Sequence, residues 1–403
     1  MGGQSEPQVE RAKIFLETLR EGESMQLRQL IVFAIFAVAN FCSVADADSL
    51  ILVINGKEVQ LEGEVLIEAQ DRSLYFREVD GKIWFVEPQQ IKARIDSEKP
   101  SPPLSFKAVG KRLLKELPAG FRIYETKHYV IAYQNEVAFA RWISGLYESR
   151  LYRAFETFWE KKKKIKLSDP AYPLIAIVFG SKAQYQQYVD RELGPGQTME
   201  AYYNLQTNRI ALYDFTAAQR NPSQPLTSRN IERVLQNPNS IFLVATIIHE
   251  ATHQLMFNRG LQTRFAESPL WMNEGIAMFF EAPDLRSKTG WRVPGKVFEL
   301  RLNRFRRYLA SRPADSLRTL LATDNRLRDP DSVTDAYAES WAFNHYLFNR
   351  KSDQYVDYIK FMSKKKALES DTPETRIADF ERFFGEGLAE LDRQFVAYVS
   401  ELR

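Results

Sequence analysis

Apolar positions change their spacing along the chain, and the changes divide it. Between residues 49 and 97 they come in short alternating runs: Ile51–Val53, Val59–Leu61, Val65–Ile67, Leu74–Phe76 and Ile83–Val86. A period of two predicts half-buried strands, and Asn55-Gly56 and Asp80-Gly81 are hairpin turns. Five such strands predict a small all-β unit over 49–97, a barrel or curled sheet. Residues 98–104 form a proline-rich linker, including Pro100, Pro102 and Pro103, which favours extended backbone. From residue 105 the pattern is mixed. Phe121–Tyr133 alternates as a strand pair or one long strand, Leu174–Phe179 reads as a buried strand, and Ala201–Asp214 as a hairpin around Gln206–Asn208. Helical spacing runs over Val137–Trp159, begins again at Ser181, and dominates at 241–258, 270–281, 296–310, 334–349, 353–362 and 376–402. Residues 219–240 are polar and read as a loop. Strands first and helices later predict an α+β fold over 105–403.

One apolar run has a different meaning. Leu30–Ala39 is ten residues long and would rise about 15 Å as a helix, half the hydrocarbon thickness of a bilayer. Arg28 precedes it, and Ala45 and Ala47 end small-x-small cleavage patterns. Residues 25–47 are therefore read as a secretory signal peptide, and 1–24 as an upstream extension or mis-start. The mature chain is expected to be exported to the periplasm, cell envelope or extracellular space, with no stable membrane span. Cys42 is the single cysteine of the 403 residues, so a cleaved chain would hold none, which suits an oxidising compartment. Lys+Arg number 55 against 52 Asp+Glu, a net charge of +3, which argues against nucleic acid as a partner.

The chemistry concentrates in two motifs. Two of the four histidines stand in His249-Glu250-Ala251-Thr252-His253, after the apolar run Ile241–Ile248. Residues four apart share a helix face, so two imidazoles can bind one ion. Glu250 is offset by one position, where its carboxylate can reach a bound water without being a ligand. A third ligand is needed, and Glu274 in Trp271-Met272-Asn273-Glu274-Gly275-Ile276-Ala277 opens the next apolar helix. The bland readings are core histidines and a helix-start carboxylate. His128 sits in an alternating strand and reads as structural, and the lysines 161–164 as a solvated helix end.

His249–His253 followed by Trp271–Ala277 resembles the gluzincin zinc metallopeptidases of the peptidase MA-like group. More narrowly, with Asp335–Leu347, it resembles a bacterial domain family of unknown function. The resemblance covers roughly 120–400. It implies a thermolysin-like domain with Zn2+ held by His249, His253 and Glu274, while the strands of 49–97 read by themselves as an SH3-like barrel. It implies Glu250 as catalytic base, and a Tyr or His of the helical half at the oxyanion: Tyr337 first, then His345 and Tyr346. It also implies that the strand carrying Arg209, Ala211 and Tyr213 is the sheet edge on which a peptide or protein substrate lies. Met278 stands where several gluzincins carry an acidic partner for a histidine. Glu267, Glu281 and Asp284 are the possible substitutes, although Glu281 by itself reads as a solvated helix residue. The function expected is hydrolysis of peptide bonds by a metal-activated water. The alternatives are an inactive metal-containing module that binds peptide or envelope polymer, and a structural adaptor without metal.

Overall fold

The computed structural model describes residues 47–96, 101–217, 238–282, 294–385 and 387–402, with isolated positions between 227 and 234. Residues 1–24, nearly all of the segment 25–47 read as a signal peptide, most of the 219–240 stretch and Asp284 lie outside the described residues. Among these, no helix is long and apolar enough to cross a membrane.

The N-terminal unit is a five-stranded antiparallel sheet of β1 (Ala47–Ile54), β2 (Lys57–Glu68), β3 (Leu74–Glu78), β4 (Ile83–Val86) and β5 (Ile91–Asp96), in the order β4-β3-β2-β1-β5. Two of the expected strands are one. The runs at Val59 and Val65 join through Gly63, where a Cβ would stand 2.0 Å from the carbonyl oxygen of Arg77. Glycine there marks a close approach of two strands and not a turn. The fifth strand is Ile91–Asp96, outside the expected runs, with Ile91, Ala93 and Ile95 alternating along it. Leu50, Leu52, Leu61, Leu74, Phe76 and Val86 fill the small core.

The second unit begins with α1 (Phe106–Glu116), a helix not anticipated, capped by the Ser105 hydroxyl accepting from the Ala108 N–H. A second sheet follows: β6 (Arg122–Glu125), β7 (Tyr129–Tyr133), β8 (Leu174–Phe179), β9 (Ala201–Asn204) and β10 (Arg209–Tyr213). Phe121–Tyr133 is thus a strand pair. A long helix, α2, crosses from β7 to β8. It comprises the abutting segments Val137–Ser144, Gly145–Tyr152, Arg153–Glu156 and Thr157–Lys162, the second and fourth wound as π-helix. Helix α3 (Lys182–Leu193) follows β8, and α4 (Pro238–Asn258) follows the sheet.

Strand order is β6-β7-β8-β10-β9, with β7/β8 and β8/β10 parallel and both outer pairs antiparallel. Alternate residues feed two cores. Ile131, Ala176 and Ile210 face α2 and α4; Val130, Ile177 and Ala211 face the side of α1 and α3. A strand buried on both faces reads as a continuous apolar run, as Leu174–Phe179 does.

The remainder is helical: α5 (Leu270–Glu281), α6 (Glu299–Tyr308), α7 (Ser316–Ala322), α8 (Asn325–Arg328), α9 (Val333–Arg350), α10 (Ser352–Met362), α11 (Pro373–Phe384) and α12 (Leu388–Glu401). The helix expected over 376–402 is two helices. Gly385, at φ +65°, ends α11 in the left-handed conformation that glycine adopts without strain. The α+β class holds: sheets in the N-terminal half, helices in the C-terminal half.

Candidate metal centre

Helix α4 is buried along most of its length and carries the histidine motif on its fourth and fifth turns. Its neighbour α5 lies against it because α9 presses from the other side. Gly275 makes that possible: a Cβ there would stand 1.8 Å from Asn344 Nδ2 and 2.9 Å from the Ser340 carbonyl oxygen of α9. Trp271 is fully buried against Phe343, Tyr355, Tyr358 and Phe380. The motif's tryptophan and glycine therefore anchor α5, and Glu274, about 100° around the helix from Gly275, meets His249 and His253 of α4.

There the three expected ligands converge. His249 Nε2 lies 3.0 Å from His253 Nε2 and 3.0 Å from Glu274 Oε2, and His253 Nε2 lies 3.4 Å from Glu274 Oε1. Three atoms bound tetrahedrally at about 2.0–2.1 Å from one ion are about 3.3–3.4 Å apart. Each separation is close to that size, the two to Glu274 running to different carboxylate oxygens, and these three residues could hold a metal ion.

The donor set points the same way. His249 Nδ1 is 2.6 Å from Glu281 Oε1. A carboxylate only accepts, so Nδ1 carries the hydrogen and, in the neutral ring, the Nε2 lone pair faces the centre. That lone pair meets a carboxylate oxygen and a second imidazole nitrogen. With the carboxylate oxygen and that lone pair both acceptors at 3.0 Å, a proton or a cation between them is favoured. Where only a proton is present, it resides on His249. Burial opposes it, but the hydrogen bonds and charges of Glu274 and Glu281 push His249 up to about 10. Glu274 is held far below the usual carboxylate range: burial would raise it, and the charges and hydrogen bonds of His253 and His249 outweigh that. His249 is fully enclosed while the His253 side chain is 13% exposed, so the centre opens to solvent on the His253 side.

Glu281 is the histidine's acidic partner. It is two turns beyond Glu274 and on the same face of α5, buried, and held by Arg301 Nη2 at 3.1 Å to both carboxylate oxygens. The reading of Glu281 as a solvated residue is corrected. The seven-residue spacing from Glu274 was the signal that could have found it. Glu267 is occupied elsewhere, in an ion pair with Arg376.

Glu250 is buried beside the triangle, and its Oε2 accepts the Tyr203 N–H at 2.8 Å. Burial raises its pKa, with the neighbouring His249 and His253 opposing. Tyr203 belongs to β9, and this overturns the expected sheet edge. The hairpin folds so that β10 lies inside, between β8 and β9, leaving β9 as the edge. Ala211 is buried within the sheet. The Arg209 guanidinium is enclosed by Glu116 at 2.7 Å and Asp80 at 3.3 Å, and the Tyr213 hydroxyl donates to Glu200. None of the three lies on a free edge. Tyr203 turns its N–H outward to Glu250; with the two-residue period of a strand, Ala201 turns its own backbone groups to the same open side.

Tyr337 is buried in the helical core, one turn before Ser340 on α9. His345 is fully engaged: Nε2 is 3.1 Å from the Gly295 carbonyl oxygen, and Nδ1 is 2.8 Å from the Tyr398 hydroxyl. The Tyr346 hydroxyl donates to Gln394. His128 lies in the turn between β6 and β7 and not within a strand; there it stacks on Tyr152 and pairs with Glu148.

Residues 243–369 match the family described as protein of unknown function, DUF1570. That stretch contains both histidines, Glu250, Glu274, Glu281, Arg301 and the whole of α9. The family description names no peptidase. No curated protein matches the chain.

Proposed function

We propose that this protein is an exported zinc metallopeptidase of gluzincin type, hydrolysing peptide bonds in peptide or protein substrates. The observation that carries the proposal is the convergence of His249, His253 and Glu274 within hydrogen-bonding distance of one another, with Glu281 setting the His249 tautomer and Glu250 alongside. The motif helix behind a sheet edge, followed by a helical half that carries the third ligand, supports a thermolysin-like reading of residues 105–403. The N-terminal sheet is read as SH3-like. Export rests on residues 25–47 and on the lack of cysteine after Cys42.

A zinc ion held by these three side chains would supply a Lewis acid and a water acidified to near neutral pH. The protein's own groups do the rest. Tyr203 fixes Oε2 of Glu250, which leaves Oε1 to take a proton from the attacking water and to deliver it to the leaving amine. Burial raises the proton affinity of Glu250, as a base that must later act as an acid requires. The β9 edge at Ala201 and Tyr203 offers main-chain groups to an extended peptide. The oxyanion role of Tyr337 rests on the resemblance alone, since its side chain is buried in the helical core.

The test is metal content and cleavage together. Purified protein should hold about one zinc per chain and cleave members of a denatured-protein or peptide library. Glu250→Gln should retain zinc and lose about 10²–10⁴-fold in rate. Zinc well below one per chain would remove the proposal. Zinc without any cleavage would favour a peptide-binding module.

A further inference from the structure

The turn between β3 and β4 joins the N-terminal sheet to the second unit, and its acidic side chains are buried. Glu78, the last residue of β3, and Asp80, in the turn that follows, are each 2% exposed. Glu78 binds Arg112 of α1, and Asp80 binds Arg209 of β10 at 3.3 Å. Glu116 of α1 closes the network, at 2.7 Å from Arg209 and 3.1 Å from Arg112. Two carboxylates withdrawn from water are tolerated only while their guanidinium partners stay in place, so the network admits one docked geometry. The last residue of the linker docks on the same turn, where the Leu104 N–H donates to the Val79 carbonyl at 2.8 Å.

This turn touches both loops that flank the candidate centre. The Ile83 N–H donates to the Gln206 carbonyl in the β9–β10 turn at 2.8 Å. Gln206 is three residues from Tyr203, within about 11 Å of it at 3.8 Å per residue. The second loop is the one from α4 to α5. There Arg264 bridges Gly81 O at 2.9 Å and Leu205 O at 3.3 Å, and Phe265 packs edge-on against Tyr75 of β3. One short segment, Glu78–Ile83, thus holds the strand whose N–H fixes Glu250 and the loop that leads to Glu274.

We propose that the N-terminal sheet is a buttress of the candidate centre, with Asp80 and Arg209 as positioning residues that fix the β9 edge and, with Arg264, the approach of α5. The inference rests on the functional reading for its consequence, but its structural test does not. The measurement is amide hydrogen exchange on the full chain, wild type against Asp80→Asn and Arg264→Met. Exchange in 201–208 and 262–267 should quicken about tenfold in both variants. Glu339→Gln is the control. Glu339 is fully buried with Arg312, Arg326 and Ser316 in the helical half, and its loss should not produce that local pattern. Zinc dissociation constants should rise about fivefold or more in the two test variants, with any KM for peptide rising as well. Exchange within twofold of wild type in both segments overturns the proposal, as does the same pattern in Glu339→Gln. Should Asp80→Asn fail to fold, Arg264→Met decides, because it removes two side-chain bonds to carbonyls at a half-buried position. A protein that binds no zinc sinks the peptidase reading, while the exchange result still decides this one.

Discussion

Replacing Glu281 by glutamine tests the centre without touching a ligand. Glu281 Oε1 accepts from His249 Nδ1 at 2.6 Å and from Arg301 at 3.1 Å, while Oε2 also accepts from Arg301. Glutamine keeps the volume but has one acceptor and two donors. If its oxygen serves His249, its amide group faces the Arg301 guanidinium, donor against donor. If it flips to serve Arg301, the amide donates to Nδ1, and His249 must carry its hydrogen on Nε2, where it blocks the metal. Either outcome weakens binding. Loss of such a partner costs about 10–100-fold in metal affinity, or about 1.4–2.7 kcal/mol. Competition against a chelator of known affinity would measure it, with Glu274→Ala as the variant that loses a ligand outright. An affinity for Glu281→Gln within twofold of wild type would refute the tautomer argument.

Metal uptake should depend on pH, because the ion displaces the proton that burial resists and Glu274 and Glu281 hold on His249, up to about 10. Below that value apparent affinity should rise about tenfold per pH unit, and calorimetry in buffers of different ionisation heat should count about one proton released. In the metal-free protein the raised His249 stabilises fully below about 6.5, and that contribution is lost as pH rises toward about 10; denaturation of chelator-treated protein across this window would show the decline. Gly275→Ala should destabilise by about 1–3 kcal/mol, since its Cβ would meet Asn344, itself bonded to Trp271 and Ser340, and a thermal melt reads it. Trp271→Ala should cost about 3–5 kcal/mol in chemical denaturation, because the ring is fully buried among four aromatic rings.

The histidine pair was legible because both ligands come from one turn of helix, and local spacing alone puts them together. The boundaries of α5 and the burial of α4 were legible for a related reason: an apolar run of helical length has few other fates. The N-terminal strands were legible in number but not in membership. A glycine looks the same to a pattern whether it breaks a strand or, as at Gly63, lets a neighbour come close. Helix α1 went unread, although Val109 and Leu113 mark its buried face.

The remaining errors concern partners far apart in the chain. Residues 201–214 carry the hairpin in their alternation, but which strand takes the edge depends on which pairs with β8, and β10 does. Arg209 was expected to meet substrate, yet its partners are Glu116 and Asp80, more than ninety residues away. Glu281 was one acid among three until α5 packed against α4. The tie between Glu250 and Tyr203 is invisible in any sequence, because the donor is a main-chain N–H that every residue but proline possesses. Chemistry carried by side chains within one turn is written in residue types and spacing. Chemistry that depends on which elements touch, and on backbone groups left over at an edge, arises only when the chain packs.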